Sequence, residues 1–357
     1  MLDPEAPSRP RPRRLAPAVA AVVTVCLLVA AGTYVLLRPP GADPPFVRPA
    51  TSGSPAAPAP DVGDGVLTFE RLAGPARTVV RDSRGTPAAT FTDGARTVLL
   101  RGPGRVFAEP SHTPVTVTTT AWVRLAPTEW APDQRDAGWV RPWLARALTD
   151  TGPDVLAVAL DYLTGTPDRK DAKGIRYAGD ASFGPLSDTD PDGRAENSDF
   201  YDYLGLTWSF ADTGRERPDP DRFGAVDCSG YLRLVYGYRL GYPLRNANTR
   251  GVGLPRRAFA MSEFGPGVEV VPNRGAPPAR VDALQPGDLL FFHSDPGTGP
   301  FRADHSGIYL GVDGAGHHRF VSSRSRANGP TFGDTGGAAV LDGGGYWSQR
   351  FRNARRI

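Results

Sequence analysis

One cysteine stands where its neighbours could support nucleophilic catalysis. Cys228 lies in the sequence Asp227-Cys228-Ser229-Gly230, and the apolar residues that follow, YLRLVYGYRLGYPL, recur at helical spacing. The pattern therefore predicts that Cys228 lies at or near a helix N-terminus. Free N–H groups and the helix dipole at such a terminus stabilise a thiolate and lower the pKa of a cysteine. From this context alone, a buried structural cysteine is an equally good interpretation.

A histidine further along the chain is a candidate general base. The stretch LQPGDLLFF at 284–292 predicts a turn followed by a short buried strand. His305 then opens the apolar run HSGIYLGV, which predicts a second strand. A histidine at the edge of a rigid sheet suits a general base, although a single histidine in a strand is more often structural.

Three stretches in this order resemble the NlpC-type cell-wall cysteine peptidases, a papain-like family. They are DCSGYLRLVYG, LQPGDLLFF and HSGIYLGV, and the resemblance covers about residues 150–325. It implies a helix that carries Cys228 packed on an antiparallel sheet that carries His305. In that arrangement Cys228 is the nucleophile, and His305 is first the base and then the acid for the leaving amine. Asp227 and Ser229 would shape the substrate end of the site, and the Cys228 N–H would donate to the oxyanion.

The resemblance places two further residues in the site. Matching FVSS to the family's aromatic–aliphatic–His pattern puts Ser322 where a polar residue orients the base. His318 shares its predicted strand face and remains the rival, because a register error of one residue exchanges the faces. The family's aromatic residue ahead of the cysteine is matched by Tyr177 in GIRYAGDASFG, which lacks the family's tryptophan. Tyr177 is therefore a candidate substrate-binding residue.

The segment ahead of this region predicts a small β-rich domain at 65–127. TVVRDS, AATF, RTVLL and TVTTTAWVRL are β-rich runs, and Asp93-Gly94 is a tight-turn signal between two of them. We interpret this domain as a packing or spacing module rather than a wall-binding one. His112, alone in a loop, is interpreted as a solvated surface residue.

The N-terminus predicts a membrane anchor. Residues 15–37 carry no charge and are long enough to span a bilayer, while arginines crowd residues 1–14. This pattern predicts a cytoplasmic basic segment, a single transmembrane helix and an extracytoplasmic C-terminal part at the cell membrane; a cleaved signal peptide is the alternative. Residues 38–64 are rich in Pro and Ala and predict an extended linker.

Composition excludes several classes of protein. The net charge is +3 and no nucleic-acid motif is present, so no nucleic acid is expected as a partner. Two cysteines exclude a disulfide scaffold, no Cys/His spacing suits zinc, and no cofactor or metal is expected. The arginines at the C-terminus are interpreted either as a contact for anionic polymers or as a solvated end: Arg350, Arg352, Arg355 and Arg356.

The prediction is an α+β chain: a transmembrane helix, a small β-rich domain, and a papain-like domain at 128–357. The resemblance implies a membrane-anchored cysteine peptidase that cleaves peptidoglycan stem peptides through a Cys-His acyl-enzyme. The alternatives are a catalytically silent wall-peptide-binding or scaffold protein, and a papain-like acyl- or amidotransferase. Long insertions at 164–222 and 245–283 could cover the cleft and require an unidentified regulatory partner.

Overall fold

An antiparallel sheet forms the first part of the structure. The computed structural model describes residues 46–50, 67–191 and 193–357. The strands of this N-terminal sheet are β1 (Val47–Pro49), β2 (Thr68–Leu72), β3 (Arg77–Arg81), β4 (Pro87–Thr92), β5 (Thr97–Ala108) and β6 (Thr116–Leu125). They follow the order β1-β5-β4-β3-β2, and β6 also pairs with β5. Every pairing is antiparallel.

The four predicted β-rich runs fall on strands β3 to β6, so their prediction is confirmed. Buried residues in β5 alternate with more exposed ones, because successive side chains of a strand point to opposite faces. The predicted turn at Asp93-Gly94 joins β4 to β5. Gly94 adopts a φ of 77°, a left-handed conformation that glycine adopts without a steric penalty.

Part of the predicted linker is ordered against this sheet. Val47 pairs with Phe107 of β5 and is buried in the core. The prolines of the segment correctly predict an extended chain, but the apolar pair Phe46-Val47 turns this piece into an edge strand instead of a free spacer.

The predicted anchor at 15–37, the basic segment 1–14 and the rest of the linker lie outside the described residues. Within residues 46–50, 67–191 and 193–357, no helix has the length and apolar character that crossing a membrane requires.

Short helices and two small ribbons follow the N-terminal sheet. The helix predicted near 153–163 spans Val155–Leu160, and all six of its residues are buried. The helix that begins at Cys228 continues as a π-helix over Arg233–Arg239. The helices are α1 (Val140–Thr149), α2 (Val155–Leu160), α3 (Phe200–Leu204), α4 (Cys228–Leu232), α5 (Ala258–Phe264) and α6 (Tyr346–Arg350). The ribbons pair β7 (Arg169–Lys170) with β8 (Arg176–Ala178), and β9 (Trp208–Phe210) with β10 (Gly214–Glu216).

A second antiparallel sheet carries the predicted histidine. Its strands are β11 (Val268–Val271), β12 (Leu289–Phe292), β13 (His305–Val312), β14 (His318–Arg324), β15 (Gly329–Thr331) and β16 (Phe351–Arg356). Their order is β11-β16-β12-β13-β14-β15. Helix α4 packs on β13 and β14. A helix packed on an antiparallel sheet was predicted, and the mixed α/β character with antiparallel sheets is confirmed.

One continuous core joins the two sheets. Phe107 and Val123 of the N-terminal sheet pack in the same cluster as Leu156 of α2, Tyr231 of α4 and Ile308 of β13. The described residues accordingly form one compact unit. The predicted boundary between 127 and 128 separates two sheets that share this core.

Two buried ion pairs cross between the parts. Arg105 of β5 donates two hydrogen bonds of 2.8 and 2.7 Å to Asp154, which also caps α2 at the N–H of Ala157. Arg356 of β16 binds Asp288 through two bonds of 2.8 Å and reaches Thr92 of β4 at 2.8 Å.

The arginine-rich C-terminus is therefore neither a solvated end nor a free cationic surface. Arg350 ends α6, while Arg352, Arg355 and Arg356 lie in β16, an interior strand between β11 and β12, and Arg356 is 1% exposed. The charge pattern alone did not show that Asp288 supplies a buried partner.

We predict that Asp154→Ala lowers the free energy of unfolding by about 3–5 kcal/mol, because it leaves Arg105 buried without its partner and removes the cap of α2. Urea denaturation of the full chain measures the change. Asp136→Ala is the matched control, since Asp136 forms an exposed pair with Arg135 and the expected change is within about 0.5 kcal/mol. Equal effects of the two substitutions would contradict the prediction.

Candidate active site

The nucleophile candidate begins its helix, as its spacing predicts. Asp227 is the N-cap residue of α4, and its side chain accepts a hydrogen bond of 2.7 Å from the N–H of Gly230. Cys228 is the first residue of the helix. Its N–H belongs to the first turn, whose amides have no acceptor inside the helix.

A buried guanidinium is hydrogen-bonded to the carboxylate of Asp227, the residue before Cys228. Arg256 donates to Asp227 Oδ2 at 2.7 Å and Oδ1 at 3.2 Å, and to Ser229 Oγ at 2.8 Å. Ser229 in turn donates to Asp227 at 3.1 Å, and the N–H of Asn197 donates to Oδ2 at 3.1 Å. Burial opposes ionisation, but the charge of Arg256 holds the pKa of Asp227 below its ordinary value.

Asp227 and Ser229, predicted to bind substrate, already have hydrogen-bond partners within the protein. A carboxylate offers about four acceptor positions, and donors within the protein already fill those of Asp227. Both side chains are buried, at 2% exposure each. Together with Arg256 of the 245–283 insertion, they fix the start of α4, and their part in substrate binding stays a prediction.

The thiol itself is buried. Cys228 is 6% exposed, and its Sγ donates to the carbonyl oxygen of Asp304 at 3.8 Å. Burial, followed by the charges of Asp227 and Glu196, raises the pKa of the Cys228 thiol well above its ordinary value. The sequence predicted a lowered pKa from the helix N-terminus. That prediction is wrong for this conformation because desolvation and two carboxylates outweigh the helix dipole.

His305 opens strand β13 in an aromatic setting. Its ring stacks on Trp347 with centroids 4.4 Å apart and lies 5.8 Å from Phe292. Its Nε2 is buried and has no hydrogen-bond partner among the described residues. Burial, aided by the charge of Arg324, lowers the pKa of His305 to about 3, so the imidazole is neutral at physiological pH.

Thiol and imidazole approach the same end of β13 from different sides. Cys228 lies against Asp304 and interacts with Ser306, whereas the ring of His305 lies on the opposite face of the strand, as alternation requires. In the described part of the chain, no hydrogen bond joins Sγ to the imidazole. The resting site thus holds a neutral thiol beside a neutral base, and proton transfer between them requires a closer approach.

The residue predicted to orient the base has another partner. Pairing of Ile308 with Val321 places Ser322 opposite Gly307, on the same face as His305. However, Ser322 Oγ accepts a hydrogen bond of 2.9 Å from Arg324 Nε and makes no bond to His305. Continuing the same pairing puts Arg324 itself across from His305.

The rival His318 lies at the other end of its strand. It is about 13 Å from Ser322 along β14, and its Nδ1 is hydrogen-bonded to the hydroxyl of Tyr309 at 2.6 Å. The structure therefore places Ser322, and not His318, near the histidine of the site.

Tyr177 does not lie at the thiol. Its ring stacks under the guanidinium of Arg239 at 5.0 Å, and Arg239 ends the helical stretch that begins at Cys228. The cation–π contact holds Tyr177 at the far end of the helix. Its role in substrate binding stays a prediction, and this arginine contact accounts for its position.

Several residues at the site were not predicted from the sequence. Arg256 and Glu196 come from the two long insertions, and the three family-like stretches include neither of them. Trp347 lies in the glycine-rich C-terminal region, far from His305 in sequence. Arg324 offered a signal, because alternation puts it on the same face of β14 as Ser322. Within residues 46–50, 67–191 and 193–357, no cluster of His, Cys, Asp or Glu is arranged to hold a metal ion.

A protein-family model matches the region that contains the site. Residues 207–356 match the model of the NlpC/P60 family, and this range contains Cys228, His305 and Ser322. No curated protein matches the chain significantly.

Two solved structures are similar to the chain. One is an NLP/P60 family protein, described as similar to lipoprotein, from Staphylococcus aureus: identity is 20%, coverage is 61% of this chain and 48% of that chain, and the TM-score is 0.25. The other is NlpC1 from Trichomonas vaginalis: identity is 12%, coverage is 90% of this chain and 95% of that chain, and the TM-score is 0.28. The chain spans about half the length of the Staphylococcus protein. The region that carries the thiol and the imidazole, residues 207–356, is therefore an NlpC/P60 domain.

Proposed function

We propose that this protein is a cysteine peptidase that cleaves peptidoglycan stem peptides through an acyl-enzyme. The observation that carries the proposal is the placement of Cys228, at the start of α4, against the strand end that begins with His305. Members of the NlpC/P60 family are generally cysteine peptidases of cell-wall peptides, and the family match covers both residues.

In the proposed mechanism, His305 Nδ1 or Nε2 takes the proton of Cys228 Sγ, and the thiolate attacks the scissile carbonyl carbon. The N–H of Cys228 donates to the oxyanion of the tetrahedral intermediate. The C–N bond breaks as His305 returns the proton to the leaving amine. A water molecule deprotonated by His305 then hydrolyses the thioester and restores the thiol.

Substrate binding is expected to activate the site. At rest the thiol is buried with a raised pKa and the imidazole is neutral. A neutral imidazole is already competent to accept a proton. The thiol must lie close enough to His305 to transfer its proton. A peptide that displaces the contact between Cys228 Sγ and Asp304 and brings the thiol to the imidazole would allow this transfer.

We propose that the protein acts outside the cytoplasm, held at the membrane by residues 15–37. The support is the sequence pattern alone: an uncharged stretch that follows an arginine-rich segment. Peptidoglycan peptides lie on that side of the membrane, which agrees with the proposed substrate.

A second candidate is a catalytically silent relative that binds wall peptides or scaffolds a partner. One observation favours it. The hydroxyl of Ser322, at the orienting position, is hydrogen-bonded to Arg324, and His305 Nε2 has no hydrogen-bond partner within the described residues. A base without an orienting group is less effective than one that is held in place.

Digestion of muropeptides by the full chain in detergent, analysed by mass spectrometry, tests the proposal. We expect new stem-peptide fragments from the wild type and a loss of at least about 10³-fold in rate for Cys228→Ala and for His305→Ala. Cys26→Ala, the other cysteine of the chain, is the matched control and should cleave like the wild type. Cleavage that survives in Cys228→Ala would contradict the mechanism, and no cleavage by the wild type would favour the silent relative.

A separate prediction concerns the third position. Because the hydroxyl of Ser322 binds Arg324 and not His305, Ser322→Ala should lower kcat less than about tenfold. His318→Ala should leave kcat unchanged, since His318 contacts Tyr309. Steady-state kinetics of the two variants provides the measurement. A loss above about 100-fold in Ser322→Ala would show that the hydroxyl orients the base directly.

A further inference from the structure

A loop of the N-terminal sheet reaches the region behind His305. Glu109 follows β5 and is fully buried. Its Oε2 accepts hydrogen bonds from Thr331 Oγ1 at 3.0 Å and from the N–H of Phe332 at 2.8 Å. Its Oε1 is buried and has no partner among the described residues. A carboxylate in this position is unusual, because burial without full hydrogen bonding is costly.

Neighbouring residues of the same loop strengthen the attachment. Thr113 Oγ1 donates to Asp334 at 3.1 Å, and the N–H of Asp334 donates to the carbonyl of His112 at 3.2 Å. The ring of His112 is hydrogen-bonded to Thr335 at 3.0 Å. His112 is thus part of a contact between two chain segments, and its interpretation as a solvated residue is wrong.

The segment that this loop holds is the one that binds Arg324. The guanidinium donates through Nη1 to the carbonyl oxygens of Gly333 at 3.3 Å, Thr335 at 3.2 Å and Gly337 at 2.6 Å. Its Nη2 is buried without a hydrogen-bond partner in the described structure. Glu109 is the leading opposite charge acting on this buried cation.

The charge of Arg324 in turn disfavours protonation of His305. The two residues stand across from each other on β13 and β14. Both contact the indole of Trp347. The ring centroids of His305 and Trp347 are 4.4 Å apart, and the guanidinium carbon of Arg324 lies 5.1 Å from the centroid of the Trp347 ring. An uncompensated cation in this place opposes the imidazolium that forms when His305 holds the proton of the thiol or of the leaving amine.

We propose that Glu109 is a positioning residue of the active site: it holds and neutralises Arg324, and thereby allows His305 to carry a proton during turnover. The N-terminal sheet is then an integral part of the catalytic unit and not a spacer. The inference rests on the proposed peptidase function.

Ionisation of Glu109 makes this device sensitive to pH. Burial raises the pKa of Glu109 to about 7, while the hydrogen bonds from Phe332 and Thr331 and the charge of Arg324 oppose the shift. Above this pH the carboxylate is charged and offsets Arg324; below it, Arg324 acts on His305 without the charge of Glu109. The other charges that act on these groups are Asp334 and Arg319 on Arg324, and Asp227 on His305.

The test compares Glu109→Gln with the wild type, both as full chains. The amide keeps the shape and an acceptor for Phe332 but removes the charge. We expect kcat for stem-peptide cleavage to fall about tenfold above pH 7 with KM within about twofold, and the rise of wild-type kcat through about pH 7 to disappear. Glu70→Gln is the matched control, because Glu70 forms an exposed pair with Arg81, and its profile should equal that of the wild type.

Two further measurements keep the inference falsifiable. Glu109→Asp retains the charge and should keep the pH-dependent rise; if it loses activity as Glu109→Gln does, the charge is not the cause. The ring signals of His305 in histidine-labelled protein should shift in Glu109→Gln and not in Glu70→Gln, whether or not the protein cleaves peptides. An unshifted His305 signal, or a wild-type pH profile in folded Glu109→Gln, would overturn the inference. Absence of cleavage by the wild type would instead count against the proposed function.

Discussion

The site depends on the carboxylate of Asp227. It ends the preceding loop, caps helix α4 and binds Arg256, so it determines where Cys228 lies. Removing one partner of such a buried pair leaves an uncompensated charge, which is far more destabilising than the loss of an exposed pair. The two long insertions meet at this carboxylate, since Asn197 and Arg256 come from different ones. Both insertions therefore help to hold the start of the helix that carries Cys228.

The same arrangement explains why the resting site is uncharged. Asp227 lies next to the thiol and adds to the desolvation that disfavours a thiolate. On the other face of β13, Arg324 and burial disfavour an imidazolium. Each effect alone opposes a preformed thiolate–imidazolium pair, and together they leave both groups neutral. In the proposed mechanism, proton transfer therefore begins with a change of surroundings that the substrate brings, and until then burial limits reaction of the thiol with other electrophiles.

Much of the architecture could be predicted from local patterns. The β-rich runs, the turn at Asp93-Gly94 and the strand that begins at His305 follow from spacing and turn residues. The contacts that local patterns did not predict share a feature: each involves a partner distant in sequence. Tyr177 is held by Arg239, Asp227 by Arg256 and Arg356 by Asp288. Motifs place a residue on its own element but do not identify the charge that packs against it. The orienting position is a similar case: Ser322 matches the family pattern, but its hydroxyl accepts a hydrogen bond from Arg324.

The measurement that tests the central claim most directly is the pH dependence of Cys228 alkylation by iodoacetamide, without substrate, in the full chain carrying Cys26→Ala. A buried neutral thiol beside a neutral imidazole predicts slow alkylation at neutral pH and an apparent pKa above the ordinary value of about 8.5. Rapid alkylation with an inflection below about pH 7 would show a preformed thiolate and would contradict this account.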